Sequence, residues 1–151
     1  MILISHRGNI DKIITERENT CDYIQEAINA GYCVEIDVWK FQDELSLGHD
    51  SPERSVDLEW LNTRSKSLFI HAKNYEALEF FMTGNPVTVP VFYHTLEDHV
   101  VIGNTNLIWS HNLSEAGANS VVPLLSSEDM QKRNDYSQVY GICSDFVGSA
   151  Q

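Results

Sequence analysis

Short apolar runs that alternate with helical stretches constrain the fold of this chain more than any other feature. Alternating strands and helices predict an α/β protein with a parallel sheet, and the near-continuous apolar strands predict burial on both faces. The predicted strands cover residues 2–5, 33–39, 68–72, 89–93, 107–110, 120–125 and 140–146. The predicted helices cover residues 20–28, 57–63, 75–82 and 127–134, with Gly31 and Gly84 ending the first and third.

The length of 151 residues is enough for one domain, predicted to span residues 1–151. A complete eight-unit barrel takes about 250 residues, so the expected fold is a reduced and irregular TIM-type (β/α) barrel of about seven parallel strands. Ser110 and Ser120 leave hardly any room between them for a crossover helix, and the second half is therefore expected to be irregular. A barrel shortened in this way leaves apolar flank uncovered, which is compatible with a homodimer.

The composition excludes several classes of partner. A formal charge of −12 argues against a nucleic-acid partner, because such binding depends on clustered Lys and Arg. The chain has no apolar run of membrane-spanning length and no basic amphipathic helix, so no stable membrane anchor is expected. Three cysteines without paired spacing suggest neither disulfides nor a zinc knuckle and favour a cytoplasmic location. Cys143 is interpreted as a small buried hydrophobe rather than a nucleophile.

Four polar clusters lie where strands end. They are His6-Arg7-Gly8, Glu35-Ile36-Asp37, Gly48-His49-Asp50, after a short hairpin, and His71-Ala72-Lys73. Because the carboxyl ends of parallel barrel strands meet at one mouth, these clusters are expected to converge there.

Glu35 and Asp37 are two residues apart on a strand, so their side chains point to the same side and can bind one cation together. Carboxylate oxygens suit Mg²⁺ or Ca²⁺, and Mn²⁺ fits if a nitrogen ligand joins them. The alternative is a solvent-facing edge strand, but Val34, Ile36 and Val38 indicate an interior one. Since His71 and Lys73 repeat the two-residue spacing, Lys73 is available as a point charge for a phosphate oxygen.

His6 and His49 lie after different strands and can serve as an acid–base pair across a phosphodiester. Arg7 can bind phosphate through its planar guanidinium group. Any one histidine is more often structural than catalytic, and only the set of clusters favours catalysis.

The order of these motifs resembles the glycerophosphodiester phosphodiesterase family of the phospholipase-C-like phosphodiesterases. The matching residues are His6-Arg7-Gly8, Glu18-Asn19-Thr20, Glu35-Ile36-Asp37-Val38 and His49-Asp50, with a similar last strand at 141–146. The resemblance implies that His6 and His49 are the acid–base pair, and that Arg7 and Lys73 bind phosphate. Glu35 and Asp37 are then metal ligands, and Glu18 is either a further ligand or the partner of Arg7.

One position departs from the family pattern. The family places a carboxylate two residues before the lysine, whereas this chain has His71. A neutral imidazole can ligate a metal, but it shifts the preference toward Mn²⁺ or Zn²⁺ over Ca²⁺.

The middle of the chain offers aromatic residues at strand ends that can line a substrate pocket: Tyr93, His94, Trp109 and His111. Trp109 is assigned to substrate binding, although tryptophans more often serve in packing. Residues 97–99 are interpreted as a solvated loop.

The leading hypothesis is therefore an enzyme, a metal-dependent phosphodiesterase acting on a small glycerophosphodiester-like substrate. The alternative is a non-catalytic phosphate- or metabolite-binding barrel whose metal site is degenerate at His71. Retention of both His6 and His49 argues for the enzyme, because a binding protein needs no proton shuttles.

Overall fold

The computed structural model describes residues 1–83, 87–131 and 136–150. Its ten strands are β1 Ile2–His6, β2 Cys33–Phe41, β3 Glu44–Leu47, β4 Arg54–Ser55, β5 Leu68–Ala72, β6 Val91–Phe92, β7 His99–Ile102, β8 Leu107–Ser110, β9 Ser120–Pro123 and β10 Gly141–Ser144. Its α-helices are α1 Cys21–Asn29, α2 Leu58–Thr63, α3 Tyr75–Thr83 and α4 Ser127–Gln131. Short 3₁₀ turns occupy Ser65–Ser67, Leu113–Glu115, Tyr136–Gln138 and Val147–Ala150. The predicted helix end at Gly84 and the last residues of the predicted helix 127–134 lie outside the described residues.

The strands form one mixed sheet. Neighbouring strands run parallel along the order β6-β5-β2-β1-β10-β9-β8. Three pairs are antiparallel, namely β2 with β3, β3 with β4, and β7 with β8. The sheet curls into a half-barrel, and an isolated antiparallel bridge joins Val91 to Gly103.

The prediction of a reduced TIM-type (β/α) barrel of about seven parallel strands is wrong. The sheet is mixed, and helices do not alternate with strands through the second half of the described chain. The reason lies in the connections, since a parallel crossover needs a dozen or more residues. Only residues 103–106 separate β7 from β8, with Asn104 at φ 63°, so these strands form an antiparallel hairpin. The segment predicted as a solvated loop at 97–99 leads directly into β7.

Local signals were more reliable in the first half of the chain. Thr20 caps α1 as predicted, because its hydroxyl accepts a hydrogen bond from the amide of Tyr23. Gly31 has φ +95° just after the helix, a conformation that favours glycine. The strand predicted at 68–72 is β5, with the same bounds.

Strand alternation divides the core between two faces of the sheet. On β2 the side chains of Val34, Ile36 and Val38 pack outward against the helices. The inner face carries an apolar layer that includes Ile4, Phe69, Phe92, Trp109 and Cys143. Cys143 is confirmed as a buried hydrophobe, and burial raises the pKa of its thiol well above its usual range.

The described helices do not have the features of a membrane-spanning helix. None of those in residues 1–83, 87–131 and 136–150 combines the length and the apolar character that a bilayer requires.

Candidate metal centre

Two carboxylates and one imidazole meet on the inner face, beyond the apolar layer. Glu35 and Asp37 come from β2, and His71 comes from β5 directly opposite Asp37 in the strand register. One donor atom from each residue lies within 4.8 Å of the other two, and all three side chains are nearly inaccessible to solvent. This cluster can hold a metal ion.

The hydrogen bonding of the cluster fits such an ion. Glu35 Oε2 and Asp37 Oδ1 are buried and accept no well-aligned hydrogen bond, although His71 Nδ1 and Lys73 Nζ lie 3.1 and 3.4 Å from Asp37 Oδ1. Leaving a buried carboxylate oxygen such as Glu35 Oε2 without a hydrogen bond is costly, and a divalent cation is the kind of group that satisfies it. Carboxylate oxygens and an imidazole nitrogen are both donor types that ligate metal ions in proteins.

The carboxylates have opposite pKa shifts. Burial, followed by the charge of Asp37, raises the pKa of Glu35 to about 7. Burial also opposes ionisation of Asp37, but the contact with His71 Nδ1 at 3.1 Å and the charges of Arg7, His71 and Lys73 hold the pKa of Asp37 well below the usual range. Burial lowers the pKa of His71 more than its contact with Asp37 raises it. Asp37 is therefore the fixed negative charge of the cluster.

Two cationic side chains border the cluster on Asp37. Arg7 Nε lies 2.9 Å from Asp37 Oδ2, as an ion pair without hydrogen-bond alignment, and Lys73 Nζ lies 3.4 Å from Oδ1. Arg7 also bonds Glu18 at 3.3 Å. Of the two roles considered for Glu18, its contacts match partnership with Arg7, and it does not belong to the three-residue cluster in the described chain. Arg7 and Lys73 thus place positive charge beside the candidate metal ligands.

Asn19 holds Asp37 in place through both ends of its amide. Its Nδ2 donates to Asp37 Oδ2 at 2.9 Å, and its Oδ1 accepts from the backbone amide of Asp37 at 3.0 Å. Asn19 has φ 54°, a left-handed conformation that asparagine tolerates better than most residues. This backbone conformation places the Asn19 side chain against Asp37 of β2.

His6 lies on the other side of Glu35. Its Nδ1 bonds Asp145 Oδ1 at 2.8 Å, and its Nε2 lies 3.8 Å from Glu35 Oε2. Burial lowers the pKa of His6, but the bond to Asp145 and the charges of Glu35 and Asp145 outweigh it and raise the pKa overall. The bond to Asp145 orients the ring so that Nε2 faces the cluster.

Asn9 connects His6 with Arg7 through their acidic partners. Its Nδ2 donates to Asp145 Oδ1 at 2.7 Å and to Glu18 Oε1 at 2.8 Å. Its Oδ1 accepts from the hydroxyl of Tyr23 and from a backbone amide. Asn9 is fully buried, and its bonds to Asp145 and Tyr23 are buried with it.

His49 lies in an open cleft beside the cluster rather than in it. The cleft has a volume of about 160 Å³ and is also lined by Arg7, Glu18 and Asn19. His49 is 44% exposed, and its Nδ1 lies 2.8 Å from Asp50 Oδ1. Gly48, at φ 150°, sets the turn that presents it. Arg7 and Asn19 therefore both line the cleft and contact Asp37 of the buried cluster.

A group of aromatic rings extends from His71 across the inner face. The His71 ring is stacked on Phe92 and on His94, with centroids 4.9 and 4.5 Å apart. His94 contacts His111 edge-on at 4.7 Å, and burial followed by neighbouring positive groups lowers the pKa of His94 to about 4. Trp109 is buried at 3% exposure and stacks on Phe92. Trp109 therefore lies in the core, beside His111.

Sequence reasoning did not assign roles to Asn9, Asn19 or Asp145. Asp145 follows the last strand, so the strand-end rule that identified Glu35 and His71 was sufficient to find it. Asn19 has no predicted role beyond its place in the Glu18-Asn19-Thr20 motif. Asn9 carries no local signal, because its importance comes from partners distant in sequence.

Two larger clefts, of about 430 and 390 Å³, lie on either side of Lys40 and Phe80 on the outer face of the sheet. Neither cleft is lined by Glu35, Asp37 or His71. No protein-family model matches this chain, and no curated protein matches it either.

Proposed function

We propose that this chain is a divalent-metal-dependent phosphodiesterase that cleaves a glycerophosphodiester-like substrate by acid–base catalysis. The observation that carries the proposal is the buried cluster of Glu35, Asp37 and His71, in which Asp37 also contacts Arg7 and Lys73. Cleaving a phosphodiester requires positive charge around the phosphoryl oxygens, and this cluster gathers the groups that supply it.

The phosphate group would be bound by Arg7 and Lys73. Arg7 offers a planar pair of donors, and Lys73 offers a compact charge. Both contact Asp37, so their positions are fixed relative to the candidate metal ligands. When bound, a divalent cation neutralises developing negative charge and polarises the phosphoryl group.

His6 and His49 would move the protons. The Nδ1 of His6 is occupied by Asp145, which leaves Nε2 to exchange a proton with the substrate. His49 is exposed in the cleft that Arg7 lines, where an attacking or leaving oxygen can reach it. One histidine deprotonates the nucleophile, and the other protonates the departing alcohol.

The ligand set favours Mn²⁺ or Zn²⁺ over Ca²⁺. Ca²⁺ prefers six to eight oxygen ligands, whereas His71 offers nitrogen. The expected order of restored activity is therefore Mn²⁺ or Zn²⁺ before Ca²⁺.

The test is hydrolysis of bis-p-nitrophenyl phosphate and glycerophosphocholine by metal-stripped protein resupplied separately with Mg²⁺, Ca²⁺, Mn²⁺ and Zn²⁺. We expect metal-restored cleavage that His6→Ala and His49→Ala each reduce at least about 100-fold. His99→Ala is the matched control, because His99 lies on the opposite face of the sheet and bonds Ser110 and Glu115. Circular dichroism confirms that each variant is folded.

Wild-type rates in His49→Ala would refute its acid–base role. A folded protein that binds metal without cleaving either diester would refute the enzyme and favour a non-catalytic phosphate-binding protein. Metal binding itself is followed by thermal shift, which Glu35→Gln is expected to abolish.

A further inference from the structure

The indole of Trp39 connects the strand of the candidate metal ligands to the turn that carries His49. Trp39 comes two residues after Asp37 on β2, so the period of a strand places its side chain on the same face of the sheet as Glu35 and Asp37. Its Nε1 donates a hydrogen bond of 2.7 Å to the carbonyl oxygen of Gly48, the residue before His49. The bond therefore reaches from β2 to the chain that leaves β3.

Both polar backbone groups of Gly48 are bonded to β2. Its amide donates to the carbonyl oxygen of Asp37 at 3.3 Å, which continues the ladder between β2 and β3 by one residue. Its carbonyl oxygen accepts from Trp39, and that carbonyl belongs to the peptide plane that leads into His49. Because a peptide unit is planar, a bond that holds its oxygen also restricts where the Cα of His49 can lie.

The side chain of His49 is held weakly by its own neighbours. Glycine has more backbone freedom than any other residue, so Gly48 does not by itself keep the next peptide plane in one orientation. The Nδ1 of His49 pairs with Asp50 at 2.8 Å, but Asp50 is 91% exposed, and exposed ion pairs contribute little. The indole bond of Trp39 is partly buried and is therefore the better shielded restraint on this turn.

We propose that Trp39 is a positioning residue, which holds His49 toward the cleft through the carbonyl oxygen of Gly48. The inference rests on the proposed function, since it explains how one member of the acid–base pair keeps its place. A proton carrier must stay within hydrogen-bond reach of the oxygen that it serves, and a misplacement of about 1 Å can cost about 100-fold in rate. The proposed phosphate ligands Arg7 and Lys73 are held through the metal cluster instead. Loss of the indole bond should therefore impair the chemical step more than substrate binding.

Trp39→Phe tests this role, because phenylalanine keeps an aromatic ring beside Phe41 but has no N–H donor. With the full chain, bis-p-nitrophenyl phosphate and the metal that gives the highest activity, we expect kcat to fall at least about tenfold and KM to change less than about twofold. In the His49→Ala background the same substitution should change kcat by less than about twofold, because the group that it positions is gone. Trp60→Phe is the matched control, since Trp60 is also partly buried but packs on the outer face of the sheet, and it should leave both constants unchanged.

Backbone ¹⁵N relaxation gives a second measurement, made on metal-free protein without substrate. We expect the amide of His49 to have an order parameter of about 0.85 in the wild type, as in rigid backbone, and below about 0.6 in Trp39→Phe. The amide of Lys73 is the internal reference, because it donates to the carbonyl oxygen of Val38 on β2. Its order parameter should stay at about 0.85 in both proteins.

The outcomes separate the two proposals. An unchanged kcat or an unchanged order parameter at His49 in Trp39→Phe would overturn the positioning role and leave the phosphodiesterase intact. A raised KM with unchanged kcat would mean that Trp39 contacts the substrate, and equal losses of kcat with and without His49 would mean that it acts through another group; either result overturns the inference. Failure of the wild type to cleave the diester with any metal would overturn the phosphodiesterase and the inference with it.

Discussion

Asn9 connects two parts of the candidate site, the pair of His6 and Asp145 and the pair of Arg7 and Glu18. Its amide nitrogen bonds the carboxylate that orients His6 and the carboxylate that pairs with Arg7. Hydrogen bonds to charged groups are stronger than neutral ones, and buried ones are costly to break. A single amide therefore fixes the distance between a candidate proton carrier and a candidate phosphate ligand.

We predict that Asn9→Ala lowers the free energy of unfolding by about 3 kcal/mol, because Glu18 and Asp145 each lose a buried donor. Urea denaturation measures this change. Asn62→Ala is the matched control, since Asn62 is exposed on α2, and it should change stability by less than about 0.5 kcal/mol. Similar values for the two variants would contradict the bridging role of Asn9.

The packing of the His94 ring against His71 and His111 gives a second prediction. In metal-free protein its imidazole should titrate with a pKa of about 4, because burial and the neighbouring His71, His111 and Lys73 disfavour its charged form. The unfolded chain then binds more protons on this residue between pH 4 and 6.5, so its contribution favours folding increasingly as pH rises through that window. NMR titration of the ring protons measures the pKa, and His71→Ala should raise it. A pKa of 6.5 or above in the wild type would contradict the packing of these rings.

Among the strands and helices, the features that could be predicted from the sequence are those specified by residues within a single segment. The bounds of β5 and the cap of α1 follow from composition within each segment. The pairing of Glu35 with Asp37 follows from the two-residue period of a strand. By contrast, β7 begins beside the charged residues Glu97 and Asp98, which resemble a loop, and strand direction depends on connections that composition does not specify. The candidate metal site was therefore predictable from the sequence, and the antiparallel β7–β8 hairpin was not.

The turn between β3 and β4 gives a prediction about one element. A Cβ at Gly48 would collide with the carbonyl oxygen of Ser51, and the φ of 150° is unfavourable for other residues. Gly48→Ala should lower the free energy of unfolding by at least about 2 kcal/mol and move His49. Gly117→Ala is the control, because nothing lies within 4 Å of the added Cβ, and it should stay within about 0.5 kcal/mol. Equal stability of the two variants in thermal or urea unfolding would refute this reading of the turn.

Across the whole molecule, the sheet is supported unevenly. β2 pairs with β1, β3 and β5 and is packed against helices on its outer face. In the described chain, β7 forms a ladder with β8 alone and reaches the other end of the sheet through one bridge near Val91. Val101, on the outer side of β7, is 73% exposed.

This asymmetry predicts how the molecule opens. Amide hydrogen exchange is slow where opening requires global unfolding and fast where few buried contacts break. We expect amides at the centre of β2, such as that of Ile36, to exchange at least about tenfold more slowly than ladder amides of β7, such as that of Val100, which lies opposite Trp109. NMR-detected exchange in D₂O measures both within one sample, so protein concentration and pH are shared. Equal protection in the two strands would mean that the mixed half of the sheet unfolds together with the parallel half, and that the single bridge to β6 is enough to make the sheet cooperative.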